Sequence, residues 1–241
     1  MRGTLSSLAI IFLGLALTAQ AGETVLRGEV FPAAGGDTPQ FLVESGVMET
    51  DQGRIYFQRF TDRSGRTLAE IDATYRSGRL SLVKFDQHQL RETSTAEIMG
   101  GRVVYSHTAE GKTKQSTENI SGGLVPAPAI PDLITSNWEE LQAGKALEFT
   151  IPIPARRQSF TMKMTKTKSM SQSGRLLTEF KMEPANPVFR ALGDPHYFVF
   201  DNRERTLTEF RGRIVAKSGT PGNWTDFSGR IVYQPAINSK E

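Results

Sequence analysis

LAEIDATYRSGRLSLVKF, residues 68–85, places Ala69, Ile71, Ala73 and Tyr75 on one side of an extended chain and Leu68, Glu70, Asp72 and Thr74 on the other. Period-two alternation is the mark of a half-buried strand. Ser77-Gly78-Arg79 interrupts it, and a second strand-type run, Leu80–Gln87, follows at once. Glycine supplies the positive φ that a tight hairpin needs, and serine bonds the local backbone, so the stretch predicts a β-hairpin.

The same turn chemistry recurs along the chain. Ser-Gly-Arg stands at 64–66, 77–79, 173–175 and 228–230, with related turns at Asp51-Gln52-Gly53 and Gly100-Gly101. Each predicts a turn between strands. Leu147, Phe149, Ile151 and Ile153 alternate with Glu148, Thr150 and Pro152. Further strands are expected over Thr24–Phe31, Gln40–Glu49, Arg54–Thr61, Arg91–Ile98, Arg102–Thr108, Lys112–Ile120, Gln158–Lys168, Leu176–Met182, Tyr197–Asp201, Thr206–Val215 and Phe227–Tyr233. The class is mainly β, a curved antiparallel sheet built as a meander or half-barrel.

One segment breaks the pattern. After the Gly/Pro-rich connector Gly122–Pro128, Ile134, Trp138 and Leu141 fall at i, i+4 and i+7, with Pro131 suited to a first helical turn and Gly144 to a stop. One amphipathic helix, about 131–141, is expected to pack on the sheet. A short helical turn is expected after Asn186-Pro187. A sheet continuing across the connector buries more surface than two halves of about 100 residues, so 22–241 is expected to form one domain.

The first 21 residues read as a secretory signal peptide, with Arg2 as its basic start, Leu8–Leu17 as its apolar core and Ala19-Gln20-Ala21 as the cleavage site. No later stretch has the roughly 20 apolar residues that a membrane helix requires. The expected product is therefore exported and not an integral membrane protein after cleavage. The absence of cysteine excludes a lipid-anchor cysteine and fits a Gram-negative periplasm better than a disulfide-rich eukaryotic exterior. The strands place Lys, Glu and Asp on their polar faces, unlike the outward apolar band of an outer-membrane barrel. Without Arg2 the chain carries 28 basic and 26 acidic side chains, which gives no nucleic-acid footprint.

Catalytic and metal chemistry find little support. His88, His107 and His196 lack a histidine partner at i+2 or i+4, so no metal site is expected. No serine occupies a Gly-x-Ser-x-Gly elbow, and the glycine pairs lack the phosphate-loop ending. Glu70 and Asp72 share a strand face, as solvent-facing acids do. Asp194-Pro195-His196 is the one locally suggestive acid–base group, against the plainer reading of an Asp-Pro turn. No catalytic residue and no cofactor is expected.

Phe160, Met162 and Met164 share one strand face that leads to Lys166 and Lys168, inside the basic run 155–181. Adaptable thioethers ending in cations suit an acyl chain with an acidic head, and the same face serves equally as core. The run Pro131-Asp132-Leu133, the helix through Trp138, Leu141 with Gly144, and the strand Leu147-Glu148-Phe149-Thr150-Ile151-Pro152 resemble a family of exported bacterial proteins of unknown function. At fold level the chain resembles periplasmic lipoprotein-carrier half-barrels, which hold acyl chains between sheet and helix. That resemblance implies a ligand site of Ile134, Trp138 and Leu141 set against Met162, Met164 and Phe180. The expected function is a non-enzymatic periplasmic binding protein for a lipid or other hydrophobic ligand. The alternative is an envelope protein-interaction or assembly factor that uses exposed strand edges.

Overall fold

The computed structural model describes residues 24–51, 53–191 and 193–234; the expected signal peptide lies outside them. Alternation of apolar and polar side chains folds into fourteen strands: β1 (Thr24–Pro32), β2 (Phe41–Thr50), β3 (Gly53–Thr61), β4 (Thr67–Arg76), β5 (Arg79–Gln87), β6 (Glu92–Met99), β7 (Arg102–Ala109), β8 (Lys112–Asn119), β9 (Leu147–Ile153), β10 (Gln158–Gln172), β11 (Arg175–Pro184), β12 (His196–Asp201), β13 (Leu207–Thr220) and β14 (Asn223–Tyr233). They form one antiparallel sheet in the order β8-β7-β6-β5-β4-β3-β2-β1-β14-β13-β12-β11-β10-β9. Two meanders, β1–β8 and β9–β14, are thus joined where the first strand pairs with the last.

The sheet's two edges, β8 and β9, are consecutive strands, and it does not close into a barrel. The seam between them is bridged by side chains. Tyr105, fully buried on β7, donates to Glu118 Oε1 at 2.8 Å and meets Ser159 Oγ at 2.5 Å. The other Glu118 oxygen accepts from the Ser159 amide at 3.2 Å, and Ser116 Oγ donates to the Arg157 carbonyl at 2.6 Å. Past β8, the Val125 amide reaches the Thr150 carbonyl of β9 at 2.9 Å. The sheet stays open where the chain leaves it to build the plug.

That plug is two short helices, α1 (Ile130–Ser136) and α2 (Trp138–Gln142), in place of the single helix expected over 131–141. The break is at Asn137, whose backbone (φ −112°, ψ 24°) departs from helical values and whose Nδ2 donates to the Leu133 carbonyl at 2.8 Å. An asparagine that bonds its own backbone competes with helix continuation. The apolar i, i+4, i+7 stripe survives the break: Ile134, Trp138 and Leu141 are all buried.

Turn chemistry holds at three of the four Ser-Gly-Arg sites. Ser77 (φ 49°) with Gly78 (φ 73°), and Ser173 (φ 51°) with Gly174 (φ 77°), carry the two positive φ values of a type I′ hairpin. At 64–66 the Asp62 carboxylate accepts from the amides of Ser64 and Arg66. The fourth expectation is corrected, because Ser228-Gly229-Arg230 lies inside β14. Gly229 pairs with Pro32 on one side and Gly212 on the other. A Cβ there would fall 2.6 Å from the Phe227 ring and 2.7 Å from the Phe31 carbonyl oxygen, so this glycine serves a close approach rather than a turn.

β13 and β14 also run past the strands beside them. A register break between Ile214 and Ser218 bends this arm, and it lies against the loop after β5. There Gln87 Nε2 donates to the Val215 carbonyl at 2.7 Å. Gln89 imitates a strand backbone, donating to the Lys217 carbonyl at 2.8 Å and accepting from the Lys217 amide at 2.7 Å. Ile214, Ala216 and Phe227 of the arm join the main apolar core.

Candidate functional site

Eight of the nine residues expected to hold a hydrophobic ligand are on the interior side of the sheet. Ile134, Trp138, Leu141, Met162, Met164 and Phe180 are all buried in one cluster, with Phe160 packed at its margin. Trp138, Phe180 and Phe200 form a ring of edge-to-face contacts with centroids 5.5 to 6.0 Å apart. Such contacts give the closely packed aromatic core its shape. The interface between sheet and helices is filled by the protein's own side chains.

The two cations expected to finish this face are separated by a bulge. Register shifts between Lys166, opposite Phe180, and Lys168, opposite Glu179. Lys166 stays inside, its Nζ donating to Gln142 Oε1 at 2.8 Å. Lys168 turns to the outer face, 3.7 Å from Glu179 Oε2. Strict alternation holds only while the ladder is regular, and one extra residue reverses every later side chain.

A cleft of about 500 Å³ opens elsewhere, on the outer face of β12, β13 and β14. Its walls include the end of β1 at Pro32, the β1–β2 loop (Ala33, Gly35, Gly36, Asp37) and the Asp194-Pro195 turn before β12. Arg211 and Arg230 project into it from directly paired positions on β13 and β14. Tyr197 of β12 and Phe31 of β1 continue this cross-strand row. The Arg211 guanidinium stacks 5.1 Å from the Tyr197 ring centroid and Arg230 5.2 Å from that of Phe31.

Like charges opposite each other weaken a strand pair, so this arrangement needs compensation. Glu209 lies 3.1 Å from Arg211 Nε and 3.4 Å from an Arg230 nitrogen. The Arg211 Nε contact is an ion pair by distance only, since that N–H has no aligned acceptor. Arg211 also bonds Glu179, which is only 5% exposed and accepts from Thr167 Oγ1 at 2.7 Å. The two arginines keep open surface toward the cleft, with side chains 39% and 44% exposed. The next pair along the ladder, Gly212 and Gly229, also lines the cleft, with its missing side chains on the interior side. At Gly212 a Cβ would fall 2.4 Å from the His196 ring, and φ is +155°.

His196 faces the interior, stacked on Phe210 with centroids 5.7 Å apart, and its Nδ1 is buried without a hydrogen-bond partner. Burial, with Arg213 adding to it and Asp194 opposing, pushes its pKa below the usual histidine value. Asp194 lines the outer cleft, so the two groups weighed as an acid–base pair do not present a common site to a substrate. Among the described residues no three His, Asp or Glu side chains gather as metal ligands.

A smaller cleft, about 280 Å³, lies at the opposite end of the strands beside α1, lined by Leu26, Val47, Pro128 and Pro131 with Arg54, Tyr56 and Asp132. Tyr56 donates to Asp132 Oδ2 at 2.8 Å and Arg54 pairs with Glu49 at 2.6 Å, so its polar groups satisfy one another. Burial and the Asp132 carboxylate raise the Tyr56 pKa.

Among the described residues no helix is long and apolar enough to cross a membrane. No protein-family model matches the sequence, and no curated protein matches it. Among solved structures the chain is similar to a β-barrel-like protein of a domain of unknown function, DUF1849, from Brucella abortus. The TM-score is 0.48 at 9% identity, covering 88% of this chain and 95% of that one. A porin-like protein from Bacteroides uniformis is matched at TM-score 0.25 and 8% identity, over 88% and 95% of the two chains. Neither likeness bears on what the chain does.

Proposed function

We propose that the chain is a non-enzymatic binding protein of the bacterial periplasm, and that it binds through the outer-face cleft rather than between sheet and helices. The observation that carries this is the contrast between an apolar interface closed on itself and an open cleft whose volume falls within the range of small-molecule sites. A lipid, the cargo suggested by the methionine face, would have to displace the Trp138, Phe180 and Phe200 rings. Export rests on residues 1–21, and the inward turn of His196, away from the cleft that Asp194 lines, supports binding over catalysis by that pair.

Native mass spectrometry of the protein released from periplasm tests this. The expected species begins at Gly22 and carries no acyl lipid. A stoichiometric lipid adduct, lost when Trp138 is changed, would return the site to the interface. The edge-pairing alternative has one observation in its favour, the exposed outer half of β8 at 112–115. Lys112 and Lys114 stand on that edge, where lysine is a common guard against strand addition.

A further inference from the structure

We propose that the outer-face cleft holds a small ligand by an oxyanion, phosphate or carboxylate, placed between Arg211 and Arg230, with the ligand's hydroxyl or ammonium groups turned toward Asp37 and Asp194. This rests on the cleft being the binding site. Three features of the geometry support it independently of cleft volume.

The first is the register that sets two guanidinium groups directly opposite each other on β13 and β14. Glu209 is shared between them and Arg211 also pairs with buried Glu179, so the carboxylates hold the arginines in place while both side chains stay partly exposed. Each arginine has more N–H groups than these partners use, and the planar fork matches an oxyanion in two-point contact. The second is the rigidity of the pair. Tyr197 and Phe31 stack against the guanidinium groups, limiting the rotamer freedom lost on binding.

The third is the polarity of the cleft. The strand side presents the guanidinium N–H donors of Arg211 and Arg230, their charge already balanced by Glu209 and Glu179, whereas the loop side is lined by the acidic Asp37 and Asp194. A simple anion gains at one wall and is repelled by the other. A ligand with an oxyanion at one end and hydrogen-bond donors at the other is matched by both. Gly35 and Gly36, which also line the cleft, add no side chain to its loop wall.

The test is titration of the intact mature protein with glucose 6-phosphate, glucose and inorganic phosphate, followed by calorimetry and by the amide resonances of Gly212 and Gly229. Vesicles of phosphatidylglycerol, against phosphatidylcholine, form a separate arm for a lipid headgroup as the oxyanion's source. The expected result is saturable binding of glucose 6-phosphate, weaker binding of inorganic phosphate and none of glucose. Arg230→Ala should weaken glucose 6-phosphate binding by about tenfold or more, the scale of one lost charge-assisted contact, without a large change in thermal stability. Asp194→Asn should tighten inorganic phosphate by a few-fold. Arg211 is left intact because its loss would strand buried Glu179. Vesicle binding that needs phosphatidylglycerol and Arg230 would identify the same oxyanion on a lipid. If glucose moves the Gly212 and Gly229 resonances as strongly as its phosphate, the cleft binds ligands but the oxyanion assignment fails. If no probe perturbs the cleft, the assignment and the binding-site reading fail together; if Arg230→Ala leaves phosphate binding unchanged, the assignment alone falls.

Discussion

The interior face of β10–β12 and the outer face of β12–β14 are parts of one sheet, yet they differ in what they leave unfinished. Inside, Met162, Met164, Phe180 and Phe200 meet Ile134, Trp138 and Leu141 and are buried to near completion. Outside, Arg211 and Arg230 face each other with only part of their hydrogen-bonding capacity used. Apolar side chains reach low free energy by contact with one another, whereas a charged pair of one sign gains most from a further partner. The face that reads as a ligand site in the sequence is packed by the protein's own side chains, and the site we propose lies on the opposite face.

The largest expected effect breaks the interior half of this comparison. Trp138→Ala should cost roughly 3–5 kcal/mol in urea unfolding, as deletion of a packed aromatic does. A loss well under that, accompanied by altered lipid uptake, would mean the interface is not core. Next is the seam. Tyr105→Phe removes the hydroxyl shared by Glu118 and Ser159, leaves that carboxylate with fewer partners, and should cost about 1–2 kcal/mol in the same assay.

A pH series sharpens the role of buried charge. The amides of Glu204 and Arg203 and the Arg175 guanidinium hold the Asp201 carboxyl below its usual range, and its side chain is only 7% exposed. Its folded pKa is lower than its unfolded one, so its contribution is complete above the ordinary carboxylate value and lost as pH falls through the depressed one. The stability gap between the native chain and Asp201→Asn should therefore be constant near neutrality and shrink below about pH 4. A gap that does not narrow in acid would show that the carboxylate's charge is not what matters. The smallest effect concerns the outer face. Arg230→Ala should shift unfolding by no more than about 0.5 kcal/mol, as exposed substitutions do, because its side chain is 44% exposed. A larger loss would make the arginine pair structural.

The contrast also explains what was legible in the sequence. The fourteen strands are visible as runs of strand-type residues punctuated by turns; the polar β8 and the continuously buried end of β12 are legible from their turns and residue types, whereas in strands such as β4 and β7 one buried face enforces alternation. Trp138 and its stripe are legible for the same reason, and the break at Asn137 is missed because a capping side chain leaves the stripe intact. The Lys166/Lys168 split follows from a bulge, which depends on the partner strand and has no local signature. The arginine pair is harder still. Arg211 and Arg230 are brought together by the register of β13 on β14, which local patterning does not show. Their signal was the glycines Gly212 and Gly229 beside them, out of place in strands unless the backbone is approached closely. The likeness of 228–230 to the other Ser-Gly-Arg turns conceals it.

Whether ligand meets the outer cleft or the sheet–helix interface is decided by one NMR experiment on the intact mature protein. Glucose 6-phosphate and palmitate are added in turn while the Gly212 and Gly229 amides and the Met162 and Met164 methyl groups are followed. Saturable shifts are expected at the two glycines with glucose 6-phosphate, and static methyl groups with either compound. Saturable movement of the Met162 and Met164 methyls with palmitate, the glycines remaining still throughout, would contradict binding at the outer cleft.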